Sequence, residues 1–409
     1  MNRIVRSGLL LGTVVLAALA AWNIVGIMRS DAALDRGDPA AALRWRPDNP
    51  EALLRLATAR LKAGDVAGTE ALARRLLASA PADGRGYRLL AQVAEVRGDK
   101  TRAEMLYAIA VRRSPRDLQA RAWLAQRALA AGDYKTALEH VDRVLRMSSG
   151  SAQSRLFAVL TPLAADPVFA DALAEALGDH PPWRDGMLAT LHAADNKAPQ
   201  AADQVLAGLQ RRNDLDAAST HAWIEGLIRQ GRWGEAFARW AAPHLSSVRP
   251  LPLLFNGNFA SAPQDGGFDW RVPSVAGVLV SIEPLDRGGM LHLRFLGRRV
   301  AGGPVVSHAL VLAPGTYRLE WRERMDALRA LDGMAWRLTC AGQPQPLAQA
   351  EPGLGSRPWR AQVLVFTVPT GGCGGQWLQL ASSGNADAGQ IISGDTWYSS
   401  MKVTREQTK

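Results

Sequence analysis

The chain has 409 residues, 47% of them hydrophobic and 21% charged, with a formal net charge of +10. That apolar content excludes a disordered polar chain, and the length suits two or three domains. The charge is spread as +3 before residue 31, +3 across 31–248 and +4 beyond, so no basic stripe forms and a nucleic-acid partner is not expected.

Residues 1–7 carry Arg3 and Arg6, and residues 8–28 carry no charge over about the 20 residues that a bilayer crossing requires. Positive charge on the short side predicts a cytoplasmic amino terminus and export of everything after Met28. The expectation is therefore a transmembrane signal anchor over 8–28: single-pass in a bacterial inner membrane, with the bulk of the chain periplasmic. A cleaved signal peptide is the rival, because Ala18-Leu19-Ala20 has the small-x-small form of a cleavage site. Against it, the apolar run continues to Met28, too long for a signal core.

Next comes a period. Gly-Asp pairs stand at Gly64, Gly98 and Gly132, 34 residues apart, and Pro81 and Pro115 follow the first two glycines by 17 residues. Ala57, Ala91 and Ala125 align before the glycines, and Thr69, Ala103 and Ala137 after them, where small residues let two helices approach. Glycine closes the first helix of each unit, Asp caps the second, and proline or Ser149 ends it. Units of this length bury their apolar faces only by stacking, so a helical solenoid is predicted.

These positions resemble the tetratricopeptide repeat, with Ala91, Tyr107, Ala110 and Pro115 at its small, large-apolar, small and proline places. The units are 50–83, 84–117 and 118–151. Ala33 to Pro47, with Gly37-Asp38, reads as a truncated capping unit. Residues 152–248 keep helical spacing without the glycine register, as in Ala201 to Leu209, Thr220 to Gln230 and Trp233 to Trp240. The expected solenoid domain is 31–248. The resemblance implies envelope-protein partners held by the solenoid.

At the linker 249–253 the helical spacing stops. Short alternating runs follow: Gly277 to Ile282, Met290 to Leu296, His308 to Leu312, Gly315 to Arg322, Ala335 to Cys340, Ala361 to Val368, Gln376 to Leu380 and Trp397 to Val403. About eight strands at such intervals predict an antiparallel β-sandwich over 254–404, with a tail at 405–409. Cys340 and Cys373, the only cysteines, lack metal-site spacing. In an exported protein they are expected as a disulfide, worth roughly 3–4 kcal/mol by loop entropy; two unpaired buried thiols are the alternative.

The opening Leu254-Phe255-Asn256-Gly257-Asn258-Phe259 with Gly267-Phe268-Asp269-Trp270, and the ending Ser393-Gly394-Asp395-Thr396-Trp397-Tyr398, resemble jelly-roll carbohydrate-binding modules and galactose-binding-like domains. Ser399 and Ser400 stand where many such modules have Asp. Aromatic faces pack against the C–H groups of sugar rings. Trp359, between Arg357 and Arg360, is the foremost glycan-contact candidate, followed by Trp270 with Asp269. Trp321, Trp336 and Trp377, inside apolar strands, are expected in the core.

The seven histidines are scattered without metal or triad spacing, and no phosphate-cradling glycine loop precedes a helix. No cofactor and no catalysis are expected. The multidomain α + β chain is read as a membrane-anchored periplasmic scaffold whose sandwich binds glycan, in cell-envelope polysaccharide assembly or export. A purely proteinaceous adaptor, with the sandwich as cap or second protein surface, is the alternative; an envelope hydrolase is a remoter one.

Overall fold

The computed structural model describes residues 3–193, 196–245, 250–382 and 389–406, and the side chains of 3–12, 14 and 15 lie outside that description. Also outside it are the expected solenoid end at 246–248, Arg249 of the linker and 407–409 of the tail. The chain divides into two units, Met1–Asp214 and Leu215–Lys409.

The first unit is helical: α1 (Arg3–Asp35), α2 (Pro39–Trp45), α3 (Pro50–Lys62), α4 (Val66–Ser79), α5 (Gly84–Val96), α6 (Lys100–Arg113), α7 (Leu118–Ala130), α8 (Tyr134–Met147), α9 (Ser151–Leu163), α10 (Pro167–Gly178), α11 (Arg184–His192) and α12 (Pro199–Arg211). The Gly-Asp pairs end α3, α5 and α7 with one device. Gly64, Gly98 and Gly132 take φ of +79°, +80° and +76°. The next amide, of Asp65, Asp99 or Asp133, then donates to a carbonyl five residues back at 2.9–3.0 Å. The same carboxylates accept from Gly68, Arg102 and Thr136 amides at 2.8, 3.0 and 3.2 Å, capping the second helix for about 1 kcal/mol each. Ala57, Ala91, Ala103 and Ala137 are fully buried and Ala125 nearly so. Thr69 also fits there, because its hydroxyl donates to the Asp65 carbonyl at 2.7 Å.

The expected capping unit is built from two helices. The end of α1 supplies buried Ser30, Ala33 and Leu34, and α2 supplies Ala42. Asn49 donates to Ser30 Oγ at 2.9 Å while its own oxygen caps α3. The apolar segment 8–28 is therefore no separate element: it runs unbroken into the first repeat helix. Leu16, Leu19, Trp22 and Met28 on it are exposed. Among the described residues no helix is long and apolar enough to cross a membrane. The transmembrane helix expected over 8–28 is not supported by any described helix; that segment lies inside the 33-residue α1, whose last turns belong to the repeat.

The second unit begins with α13 (Ala217–Arg229) and α14 (Trp233–His244), then carries β1 (Trp270–Arg271), β2 (Val278–Pro284), β3 (Gly289–Val300), β4 (Pro304–Leu310), β5 (Gly315–Arg329), β6 (Met334–Cys340), β7 (Pro346–Gln349), β8 (Gly355–Val368), β9 (Gln376–Ser382) and β10 (Gln390–Arg405). Two five-stranded antiparallel sheets form, ordered β1-β4-β9-β6-β7 and β2-β3-β10-β5-β8. Every expected strand lies on an observed one; β1 and β7, of two and four residues, are too short for a readable alternation. The core between the sheets includes Trp270, Trp321, Trp336, Phe366 and Tyr398. Cys340 and Cys373 are joined in a disulfide with their Cα atoms 5.1 Å apart.

The division after Asp214, rather than at residue 249, has a side-chain cause. Trp233 of α14 packs edge-on against Trp377 at 5.3 Å and Phe268 at 6.2 Å. Glu225 of α13 accepts from the Gly267 amide and from Arg271, both at 2.7 Å. The last helical pair is thereby bound to the outward side of the first sheet. A Cβ on Gly375 would lie 1.9 Å from the Trp233 ring, so only glycine lets that indole rest on the backbone just before β9.

Candidate functional site

Each sheet has one face turned to the core and one turned away. The outward face of the first sheet is partly roofed: Trp377, half-buried, lies under Trp233 and has the Arg271 guanidinium 4.7 Å from its centroid. Trp377 therefore sits in a helix–sheet contact, correcting its expected place in the sandwich core; Trp321 and Trp336 are in the core as expected.

The outward face of the second sheet is open. Leu279, Leu296, Val363 and Val365 are exposed on it, next in sequence to the core-facing Val280, Phe295, Leu364 and Phe366. At its centre a layered stack crosses three strands. Cross-strand register sets His292 of β3 and Arg324 of β5 on either side of Trp397 of β10. His292 lies parallel to Trp397, 4.6 Å between centroids and 7° between planes, and the Arg324 guanidinium is 4.8 Å from the indole centroid. Toward the sheet edge, Arg322 stands 5.7 Å from the centroid of half-buried Trp359 on β8. Such cation–π pairs contribute about 0.5–1 kcal/mol at exposed sites.

Acids complete the face. His292 Nδ1 lies 2.6 Å from Glu283 and Nε2 2.7 Å from Asp395, so a carboxylate stands against each ring nitrogen. Asp395 also accepts from Arg294 Nε at 3.0 Å. Partial burial pushes the Asp395 carboxyl up, but the bonds from Arg294 and His292 outweigh it and hold the group below its usual range. The face thus gathers two indoles, exposed aliphatic side chains and fixed polar groups.

The sequence-based candidates scatter across this geometry. Trp359 is on the open face. Trp270 is fully buried, stacked on Phe259 at 5.0 Å, with its indole N–H donating to the Asn256 carbonyl at 2.9 Å. Asp269 is likewise sealed, accepting from the Trp270 amide at 2.7 Å and the Gln264 amide at 3.2 Å. Burial pushes its carboxyl up despite these bonds and one from Asn256. Arg360 gives Nε and Nη2 to Glu323 at 3.0 and 2.8 Å, a carboxylate that Trp321 and Gln362 also bind inside the sheet. Trp270 and Asp269 are thus corrected from glycan contacts to internal supports, since both are fully buried, while Arg360 stays partly exposed with Nε and Nη2 given to Glu323. Arg357, opposite Met325 on β5, is half-buried, with a buried Nη1 that has no hydrogen-bond partner among the described residues.

Trp397, His292, Arg322 and Arg324 were missed as site residues. For Arg322 and Arg324 the signal was the alternation Trp321, Glu323, Met325 against Arg322, Arg324, which continues β5 past its expected end at Arg322; His292 and Trp397 meet only through the pairing of β3 with β10. Among the described residues no group of three or more His, Cys, Asp and Glu side chains converges to hold a metal ion.

In the helical unit, Glu95 joins consecutive repeats, accepting from Tyr107 Oη at 3.0 Å and Trp123 Nε1 at 2.9 Å while the two rings stack at 4.3 Å. Burial, then the Glu95 charge, push the Tyr107 hydroxyl well above its ordinary value. Residues 33–93 match the tetratricopeptide repeat. The match takes in the end of α1 and the Gly64 pair, and the Gly98 and Gly132 pairs continue the same 34-residue period.

No curated protein matches the chain. Among solved structures, a CBM4 module has 11% identity over 37% of this chain and 99% of its own, with a TM-score of 0.29. YrrB, described as a tetratricopeptide-repeat protein with an unusual peptide-binding site, has 12% identity over 51% of this chain and 95% of its own, TM-score 0.28. The CBM22-1 xylan-binding domain of Xyn10C from Paenibacillus barcinonensis has 13% identity over 37% and 94%, TM-score 0.24. Likenesses this distant carry no functional weight.

Proposed function

We propose that the protein is a binding scaffold, without catalysis, whose tetratricopeptide repeats hold a protein partner and whose sandwich binds glycan. The observation that carries the glycan half is the open face of the second sheet, where Trp359 and Trp397 stand among exposed Leu279, Val363 and Val365. Indoles beside aliphatic rows supply the apolar area that sugar rings cover, and the nearby carboxylates and guanidiniums supply hydrogen bonds. The repeat match over 33–93 supports the protein-binding half. We further propose a periplasmic, inner-membrane-attached location in envelope polysaccharide assembly or export. It rests on the uncharged segment 8–28 and on exposed Leu16, Leu19, Trp22 and Met28, which a bilayer would cover.

Affinity electrophoresis of the full chain through gels containing envelope polysaccharides tests the glycan half. Retardation by at least one polymer, lost in Trp359→Ala with an unchanged melting profile, is the expected result. Retardation by none of the polymers, with recruitment of a protein partner lost in Trp359→Ala, would instead make the sandwich a second protein surface.

A further inference from the structure

On the open face several charged groups already have polar neighbours. Arg294 is given to Asp395, Arg318 to Glu406 at 2.9 Å, and Glu283 to His292. Asp326 accepts from the Ser356 hydroxyl at 3.3 Å, and Glu320 lies opposite Lys402 in the register. Arg322 and Arg324 differ: both are exposed, and among the described residues neither side chain makes a hydrogen bond or ion pair, only the contact with an indole. They sit two residues apart on one face of β5, roughly 7 Å by strand geometry. Elsewhere arginines in this chain commonly take a carboxylate, as Arg85 and Arg88 do with Glu51 and Asp117.

We infer that this face takes an anionic polysaccharide, with Arg322 and Arg324 receiving two acidic groups along the chain while Trp359 packs a sugar ring. The inference rests on the glycan reading above. A guanidinium presents paired N–H donors that match a carboxylate or sulfate, and its contact with the indole holds the fork without using those donors. The spacing suits acidic groups on neighbouring sugars rather than one group shared by both arginines. Uronate and sulfate are two sources of the same chemistry.

The test is affinity electrophoresis and calorimetry of the full chain with polygalacturonate, dextran sulfate and neutral xylan. We expect polygalacturonate or dextran sulfate to bind at least tenfold more tightly than xylan at low salt, weakening as salt is raised. The double variant Arg322→Gln/Arg324→Gln should lose at least tenfold toward the acidic polymer. Arg322→Lys/Arg324→Lys should lose less, which keeps the test valid if the Gln variant folds poorly. Arg112→Gln/Arg113→Gln, on exposed α6 positions, should lose under twofold. Equal affinity for xylan, with the Arg322 and Arg324 variants indifferent, overturns the anionic class and leaves glycan binding standing. Equal losses in the Arg112 and Arg113 variant also overturn it, as unspecific attraction to net positive charge. No binding to any polymer removes the glycan reading itself. Binding to dextran sulfate alone supports the inference with sulfate as the acidic group.

Discussion

In the helical unit, side chains that join repeats come from about one period away: Arg85 reaches Glu51 at a separation of 34 residues, Arg88 reaches Asp117 at 29, and Arg97 reaches Glu70 at 27. In the sandwich, His292 meets Asp395 across 103 residues and Arg318 meets Glu406 across 88. The first unit is the same local solution repeated, and losing one contact leaves the neighbouring repeats with their own. The second has one shared core and one open face, and each residue's role depends on which side of a strand it occupies. A tryptophan is therefore a weak signal in the sandwich, while a glycine is a strong one in the repeats.

The contrast is broken most severely by Trp270→Ala. Its ring is fully buried in the sandwich core, so a loss of about 3–5 kcal/mol is expected in denaturant unfolding of the second unit. Trp359→Ala, on the open face, should change stability by less than about 1 kcal/mol. A small effect at Trp270 would return it to the list of surface candidates.

A second expectation concerns His308, fully buried with Nδ1 2.7 Å from the Ala309 carbonyl and Nε2 3.1 Å from that of Phe255. A neutral ring serves only one of these carbonyls. Burial nevertheless dominates and pulls the imidazole down to about 4 from its ordinary 6.5. The unfolded chain therefore binds the proton first. Stability of the second unit is complete above pH 6.5 and falls as pH drops toward 4, by up to about 3 kcal/mol from this group. Unfolding free energies at pH 7 and pH 4.5, compared with those of His308→Gln, check it: the variant's loss over that range should be smaller.

The smallest effect lies in the repeats. Gly98→Ala places a Cβ where nothing stands within 4 Å, so the cost is only that of φ +80° in a residue with a side chain, about 1 kcal/mol. Gly132→Ala should match it, since Gly132 has φ +76° and equally open surroundings. Unequal losses measured by thermal unfolding would show that the repeats are not energetically alike.

What could be read in advance follows the range of the forces involved. Gly64, Gly98 and Gly132, with their aspartates and small residues, specify helix ends and close helix approach within one period, so the order of repeats was legible from spacing alone. Eight strand positions were legible too, because a strand's alternation is local. The merging of 8–28 into the first repeat was not, because no breaker residue marks either reading and only the burial of Ser30, Ala33 and Leu34 decides it. The attachment of α13 and α14 to the sandwich was hidden for a similar reason: Glu225 and Trp233 find Arg271, Phe268 and Trp377 only after the chain has closed on itself.

By itself the sequence determined the repeat, the presence of a sandwich and the pairing of its only two cysteines as an expectation, since these depend on spacing and composition. Only the tertiary structure decided which aromatic residues are available. Trp270 and Asp269 looked suited to a ligand and are consumed internally, whereas Arg322 and Arg324 looked like ordinary strand residues and have no side-chain acceptor among the described residues. The physical reason is that burial and charge pairing are properties of three-dimensional neighbourhoods, and in an antiparallel sandwich those neighbours come from strands far apart in the chain.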